Sequence, residues 1–332
     1  MKTEIASKMS RISRALLAAA LALAGAISAK AQNFFDSSVS GIDLGNASGG
    51  TTGGHLHWAI FTLGGNVTIT DPNPYTPTAT HGPNDPAYYA SAGSADVYGN
   101  VGISGSGILS MSKSYIDGFV TEATAGSTLA GNPIGNPYFL GGNININSAY
   151  MASGAASAIA ASNTAAGQGN FVGVGNTAAT TAVFTSGTKS EVNLGITGGA
   201  QAGATYVLHL TDLILSGAST ILTLHGTNTT NYVLNIDRYM TLGGGAKITL
   251  AGGLTESNVL YNVRNNDNFG VNPTQGTPYD VTLSGGSEVH GIILATTRAV
   301  KETGDSKVYG EVIAKSVSLS GASNVINPLV SP

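Results

Sequence analysis

The feature that most constrains this chain is a short corner motif that keeps returning. It consists of Leu or Ile, two small residues ending in Gly, and an aliphatic six positions after the first. Copies stand at Ile103-Ser104-Gly105 to Leu109, Leu215-Ser216-Gly217 to Ile221 and Leu242-Gly243-Gly244 to Ile248. Two more stand at Leu283-Ser284-Gly285 to Val289 and Leu319-Ser320-Gly321 to Val325. A second element interleaves with it: Val97-Tyr98-Gly99, Val289-His290-Gly291 and Val308-Tyr309-Gly310. Gly291-Ile292-Ile293-Leu294-Ala295 and Gly310-Glu311-Val312-Ile313-Ala314 then follow one another at an interval of 19 residues.

Each copy is a short aliphatic run broken by a Gly corner. Alternation predicts strands at Tyr232-Val233-Leu234-Asn235-Ile236, Lys247-Ile248-Thr249-Leu250 and Val281-Thr282-Leu283. Gly at the corners permits positive φ where the chain leaves one sheet for the next. A period near 20 with such strands is that of one coil of a solenoid. An antiparallel sandwich would use Asn-Gly or Asp-Gly hairpins, which are scarce. The expected fold is therefore all-β: a right-handed parallel β-helix with Gly-rich corners. The anchors are irregularly spaced, so some coils must carry inserted loops. Residues 71–86, which hold Pro72, Pro74, Pro77, Pro83 and Pro86, and the stretch Asn265 to Pro278 read as such loops.

One segment breaks the pattern. Ser148 to Ala166 is almost wholly Ala, Ser and other small residues without alternation, and Ala is the best helix former. A helix over about 148–166 is expected along the side of the solenoid, with Ser148 as N-cap and Gly167 as stop. Ala149, Ala152, Ala156, Ile159 and Ala160 would form its packed face. An Ala/Ser-rich linker is the alternative.

Composition narrows the function classes. Only 10% of the 332 residues are charged and the formal net charge is −4, which disfavours a nucleic-acid binder. Gly, at 46 residues, is about twice its usual frequency but shows no collagen period. Residues 1–31 read as a secretory signal: Lys2, Lys8, Arg11 and Arg14 precede the uncharged run Ala15 to Ile27, and Ala29-Lys30-Ala31 supplies a cleavage site before Gln32. That run is shorter than the roughly 20 apolar residues of a membrane span. Residues 32–332 would then form a single exported solenoid domain, with no membrane span after cleavage. With no cysteine, it would be held by packing and backbone hydrogen bonds alone.

Further resemblance lies in the order of Asn258-Val259-Leu260-Tyr261-Asn262-Val263, the two Gly-led strands at 291 and 310, and Asn324-Val325-Ile326-Asn327. With Ala59 to Val67, Asp96 to Ile103 and the Ala-rich helix, these resemble the bacterial choice-of-anchor A domain over roughly residues 41–328. That resemblance implies a secreted or cell-surface, non-catalytic adhesin or matrix protein, collagen-binding in some members, and a broad flat solenoid face would equally suit a polysaccharide. The same features are similar to the ice-binding β-solenoid family, which pairs a three-faced stack of coils with a long side helix. That likeness implies ice as the partner. The chain closes at Val330-Ser331-Pro332 without an apolar sorting tail, which argues against covalent anchoring.

Catalytic and metal constellations are thin. Asp212 and Asp237 are the best acid pair for glycan hydrolysis, but charged residues at strand ends are commonly just solvated. His55 and His57, with His81, could approach a zinc set, though a third ligand is not evident. Trp58 beside them suggests a first strand capping the solenoid end. Asn265-Asn266-Asp267-Asn268 could offer oxygens to calcium near Asp267, but reads more simply as a polar loop. His209, His225 and His290 sit singly in apolar strands. No cofactor is called for, and the protein is not expected to be an enzyme.

Polar rows carry the binding expectation. Asn143, Asn145 and Asn147 alternate with Ile144 and Ile146, while Thr68 with Thr70 and Thr227 with Thr229 form T-x-T pairs. Stacked in a solenoid, such rows make a weakly polar surface suited to ordering water or lying on a glycan. Asn and Thr rows also arise for purely structural reasons. An ice binder would show one face of regular small or hydroxyl residues almost without charge. An adhesin would show an irregular face with Tyr75, Tyr88, Tyr89 and Tyr138, and an enzyme would show converging carboxylates.

Overall fold

The computed structural model describes residues 58–70, 95–112, 114–129, 138–139, 144–167, 180–184, 189–190, 205–264 and 279–327. The signal segment, both predicted loops, His55, His57, His81, Asp267, Asn143, Tyr75, Tyr88 and Tyr89 lie outside these residues. Every strand pairing among the described residues is parallel, and the strands stack into three faces of one β-solenoid. The predicted strands are present as Asn231–Gly243, Lys247–Ala251 and Val281–Ser284.

Alternation explains the cross-section. Within Lys307–Ser320, for example, Val308, Val312, Val317 and Leu319 turn inward and are buried, while Lys307, Tyr309, Ser318 and Ser320 face outward. On one face the inward residues align as Leu215, Leu242, Leu283, Glu302, Leu319, Ile69 and Met111. Burying one such aliphatic side chain stabilises the fold by about 1.5–3 kcal/mol. Glu302 interrupts this column.

The corner motif divides into two kinds. The copies at Leu215, Leu242, Leu283 and Leu319 turn the chain between the same two faces, whereas Ile103-Ser104-Gly105 belongs to a different corner, between Asn100–Ile103 and Leu109–Ser112. A further copy, Glu302-Thr303-Gly304 to Val308, completes the first set. Its acidic anchor hid it from an aliphatic pattern. The second element marks the third corner. There Gly310 has φ 136° and its missing Cβ would collide with the carbonyl of Gly291, so only glycine fits.

Coil order does not follow the sequence. Trp58–Thr62 pairs on one side with residues 312–314 and on the other with Asn100–Ile103, so the first described strand lies mid-stack rather than capping an end. The N-terminal coils thus continue the stack beyond the C-terminal coils. The helix, Ser148–Gly167, here called α1, carries the chain back along the side from Ile144–Ile146 towards the opposite end, where Thr205–Ser216 lies. Its 20 residues span about 30 Å, roughly six strand spacings of about 4.8 Å.

The face of α1 that packs differs from the one expected. Met151, Gly154, Ala158, Ser162 and Ala165 are buried, while Ala149, Ala152, Ala156, Ile159 and Ala160 are exposed. Ala and Ser surround the whole helix, so apolar contrast could not select a face. Specific partners do: Ser162 donates to Asn262 Oδ1 at 2.7 Å, and Asn262 and Asn235 donate Nδ2 to the carbonyls of Ser162 and Ala165 at 3.0 and 2.8 Å. Val207, Val233, Leu260, Ile292, Ile313, Phe61 and Trp58 supply the apolar floor. The N-cap is Asn147, whose Oδ1 accepts from Tyr150 N–H at 3.1 Å, one residue before the expected Ser148.

Candidate functional site

The three faces differ in chemistry. The first is covered by α1. The second presents Lys247, Glu288, Lys307 and Asn324 in register, a row that the buried Asp96 continues, with Lys247 and Glu288 paired at 2.8 Å. There the His290 ring stacks on Tyr309, centroids 4.5 Å apart, and its Nδ1 lies 2.9 Å from Glu256, whose carboxyl this hydrogen bond holds below the usual range.

The third face is built almost entirely of hydroxyls. One outward row runs Ile214, Thr241, Thr282, Lys301, Ser318, Thr68, Ser110. The parallel row runs Ser216, Gly243, Ser284, Thr303, Ser320, Thr70, Ser112. Neighbours lie about 4.8 Å apart across strands and about 6.7 Å apart along them, a two-dimensional repeat fixed by backbone hydrogen bonds. All of these positions are half-buried or exposed, and Lys301 is the only charge in the two rows. Among the described residues no hydrogen bond within the protein engages these side-chain hydroxyls, unlike Thr223 and Thr249 on the second face, which bond each other at 3.1 Å. Short side chains and the stiff χ1 of Thr leave little rotamer freedom to lose on contact.

The residues singled out from the sequence scatter over this frame. Thr68 and Thr70 sit side by side in the two hydroxyl rows. Asn145 belongs to the helix-covered side, exposed on Ile144–Ile146, and Asn147 caps α1. Thr227 and Thr229 bond one another at 3.1 Å in the turn before Asn231–Gly243, so they form a corner and not a row. Sequence reasoning missed most of the face. A signal existed in the triplets around each buried anchor: Thr282-Leu283-Ser284, Ser318-Leu319-Ser320, Thr68-Ile69-Thr70 and Ser110-Met111-Ser112.

Asp212 and Asp237 do not converge as a free acid pair. Arg238 holds Asp212 and Arg264 holds Asp237, both at 2.5 Å. Buried Arg298 ties the same corner together, donating to the carbonyls of Arg238, Asp237 and Tyr279. Among the described residues no three His, Asp or Glu side chains gather as a metal site, and no helix is long and apolar enough to cross a membrane.

The architecture is that of a parallel β-solenoid with one lateral helix. Solved structures of similar outline are described as ice-binding proteins. One is from an Arctic yeast (20% identity, 83% of this chain and 93% of that one, TM-score 0.43). Another is from the Antarctic ascomycete Antarctomyces psychrotrophicus (14%, 82% and 94%, 0.45). A third is the DUF3494 domain of an ice-binding protein of Shewanella frigidimarina (16%, 82% and 94%, 0.40). Values this low do not carry function, which has to rest on the face itself. No family model and no curated protein matches the chain, and nothing in these comparisons supports the choice-of-anchor A resemblance.

Proposed function

We propose that the protein is a non-catalytic ice binder that acts outside the cell through its hydroxyl face. The observation that carries this reading is the double row from Ser216 and Thr241 to Ser110 and Ser112, regular in two directions and broken by a single charge. A crystal surface is periodic, so a rigid array can meet it at many points at once. Hydroxyls can join its hydrogen-bond network, whereas ammonium or carboxylate groups would have to shed tightly held water. Adhesion to collagen or polysaccharide, the first expectation from the sequence, has no comparable surface behind it. The test is ice-recrystallisation inhibition and thermal hysteresis on the purified chain from Gln32. Micromolar activity supports the reading, and its absence in folded protein removes it.

A further inference from the structure

The hydroxyl face is not uniform. Lys301 stands in the middle of its first row, in register with Thr282 on one side and Ser318 on the other. Its side chain is 54% exposed, and Nζ pairs with Asp280 Oδ2 at 2.6 Å, at the edge of the same face. Beyond it, towards the N-terminal coils, three consecutive strands present an unbroken block: Ser318 and Ser320, Thr68 and Thr70, Ser110 and Ser112. On its other side the rows are diluted by Gly243 and Ile214.

Resting on the ice-binding reading, we infer that Lys301 divides the face and that the six-hydroxyl block alone makes the productive contact. A Lys stem carries a strongly hydrated ammonium well above the level of Ser and Thr oxygens. A lattice plane laid on the block is therefore lifted from Thr282 and Ser284 by the ammonium and its water. The ion pair with Asp280 keeps that charge at the face. The block also joins coils from opposite ends of the chain, so its repeat exists only in the assembled stack.

The test compares the wild type and four variants, purified and at equal molarity, by thermal hysteresis, with melting temperature as the control for folding. Lys301→Thr should raise the hysteresis severalfold by joining the two halves, and Lys301→Thr with Asp280→Asn should do the same with no charge left at the edge. Thr68→Lys, inside the block, should abolish activity, whereas Thr282→Lys, beyond Lys301, should leave most of it. The inference is overturned if the wild type is active but neither Lys301 variant exceeds it, or if Thr282→Lys is as damaging as Thr68→Lys. An inactive wild type would remove the ice-binding reading itself, an outcome distinct from either of these.

Discussion

Thr70 and Ser320 are register neighbours on adjacent parallel strands, one contributed by the first described coil and the other by the last full one. This pairing places strands from the two ends of the chain side by side in the hydroxyl face. Replacing Thr70 by Tyr should therefore remove ice-recrystallisation inhibition, because the ring stands above the array. The position is exposed, so the same variant should change unfolding free energy by no more than about 0.5 kcal/mol. A large drop in melting temperature would show instead that Thr70 is structural.

The column beneath the face contains one carboxyl. Glu302 lies between Leu283 and Leu319, fully buried, with neither oxygen hydrogen-bonded among the described residues, and burial pushes its pKa well above the usual value. The folded protein therefore keeps a proton that the unfolded chain releases above its ordinary pKa of about 4.3. Native protein binds more protons in that window, so stability is fully present below it and falls as pH rises, by up to about 1.4 kcal/mol per pH unit for one proton. Glu311, raised to about 7 by burial against the opposing hydrogen bond from Asn327, acts in the same direction. Melting curves between pH 4 and pH 8 should fall with pH, and Glu302→Leu should flatten the slope and raise stability at neutral pH. A slope unchanged in that variant would place the proton elsewhere.

The helix is pinned by amide ladders. Asn262 donates Nδ2 to both the Ser162 carbonyl and Asn235 Oδ1 while accepting from the Ser162 hydroxyl. Asn262→Ala should cost about 1–3 kcal/mol because buried partners lose their bonds. A double-mutant cycle with Ser162→Ala should show coupling of about 0.5–3 kcal/mol, measured by denaturant unfolding. Additive effects would mean that the helix is held by its apolar contacts alone.

Gly310 tests the corner. At φ 136°, with the Gly291 carbonyl where a Cβ would go, Gly310→Ala adds both strain and overlap. The expected loss is about 2–5 kcal/mol, again by denaturant unfolding. A near-neutral result would show that the corner can open.

Much of the cross-section was legible in the residues. Alternation placed Val281, Leu283, Ile248 and Val289 inside, and the interleaved glycines marked the corners, because both signals act over two or three residues. The helix existed in the Ala-rich run, but its packed face did not: partners at Asn235 and Asn262 select it, far along the chain. The candidate face was visible at two positions only. Thr68 and Thr70 were recognisable as a pair, whereas Ser110, Ser112, Ser318 and Ser320 gained meaning only once stacked. Asn147 looked like part of an Asn row until the start of α1 claimed it as a cap.

The sequence by itself determined how one coil is made, since side-chain alternation and positive-φ glycines are local properties of a strand and its corner. Only the tertiary structure decided the order of the coils. The edge of one parallel strand offers the same backbone donors and acceptors as the edge of another, so nothing local says that Val67–Thr70 must lie on residues 317–320. In the assembled stack α1 runs along the side, seated on Asn235 and Asn262 of the C-terminal coils. The coil order brought six hydroxyls from the two ends of the chain into one array.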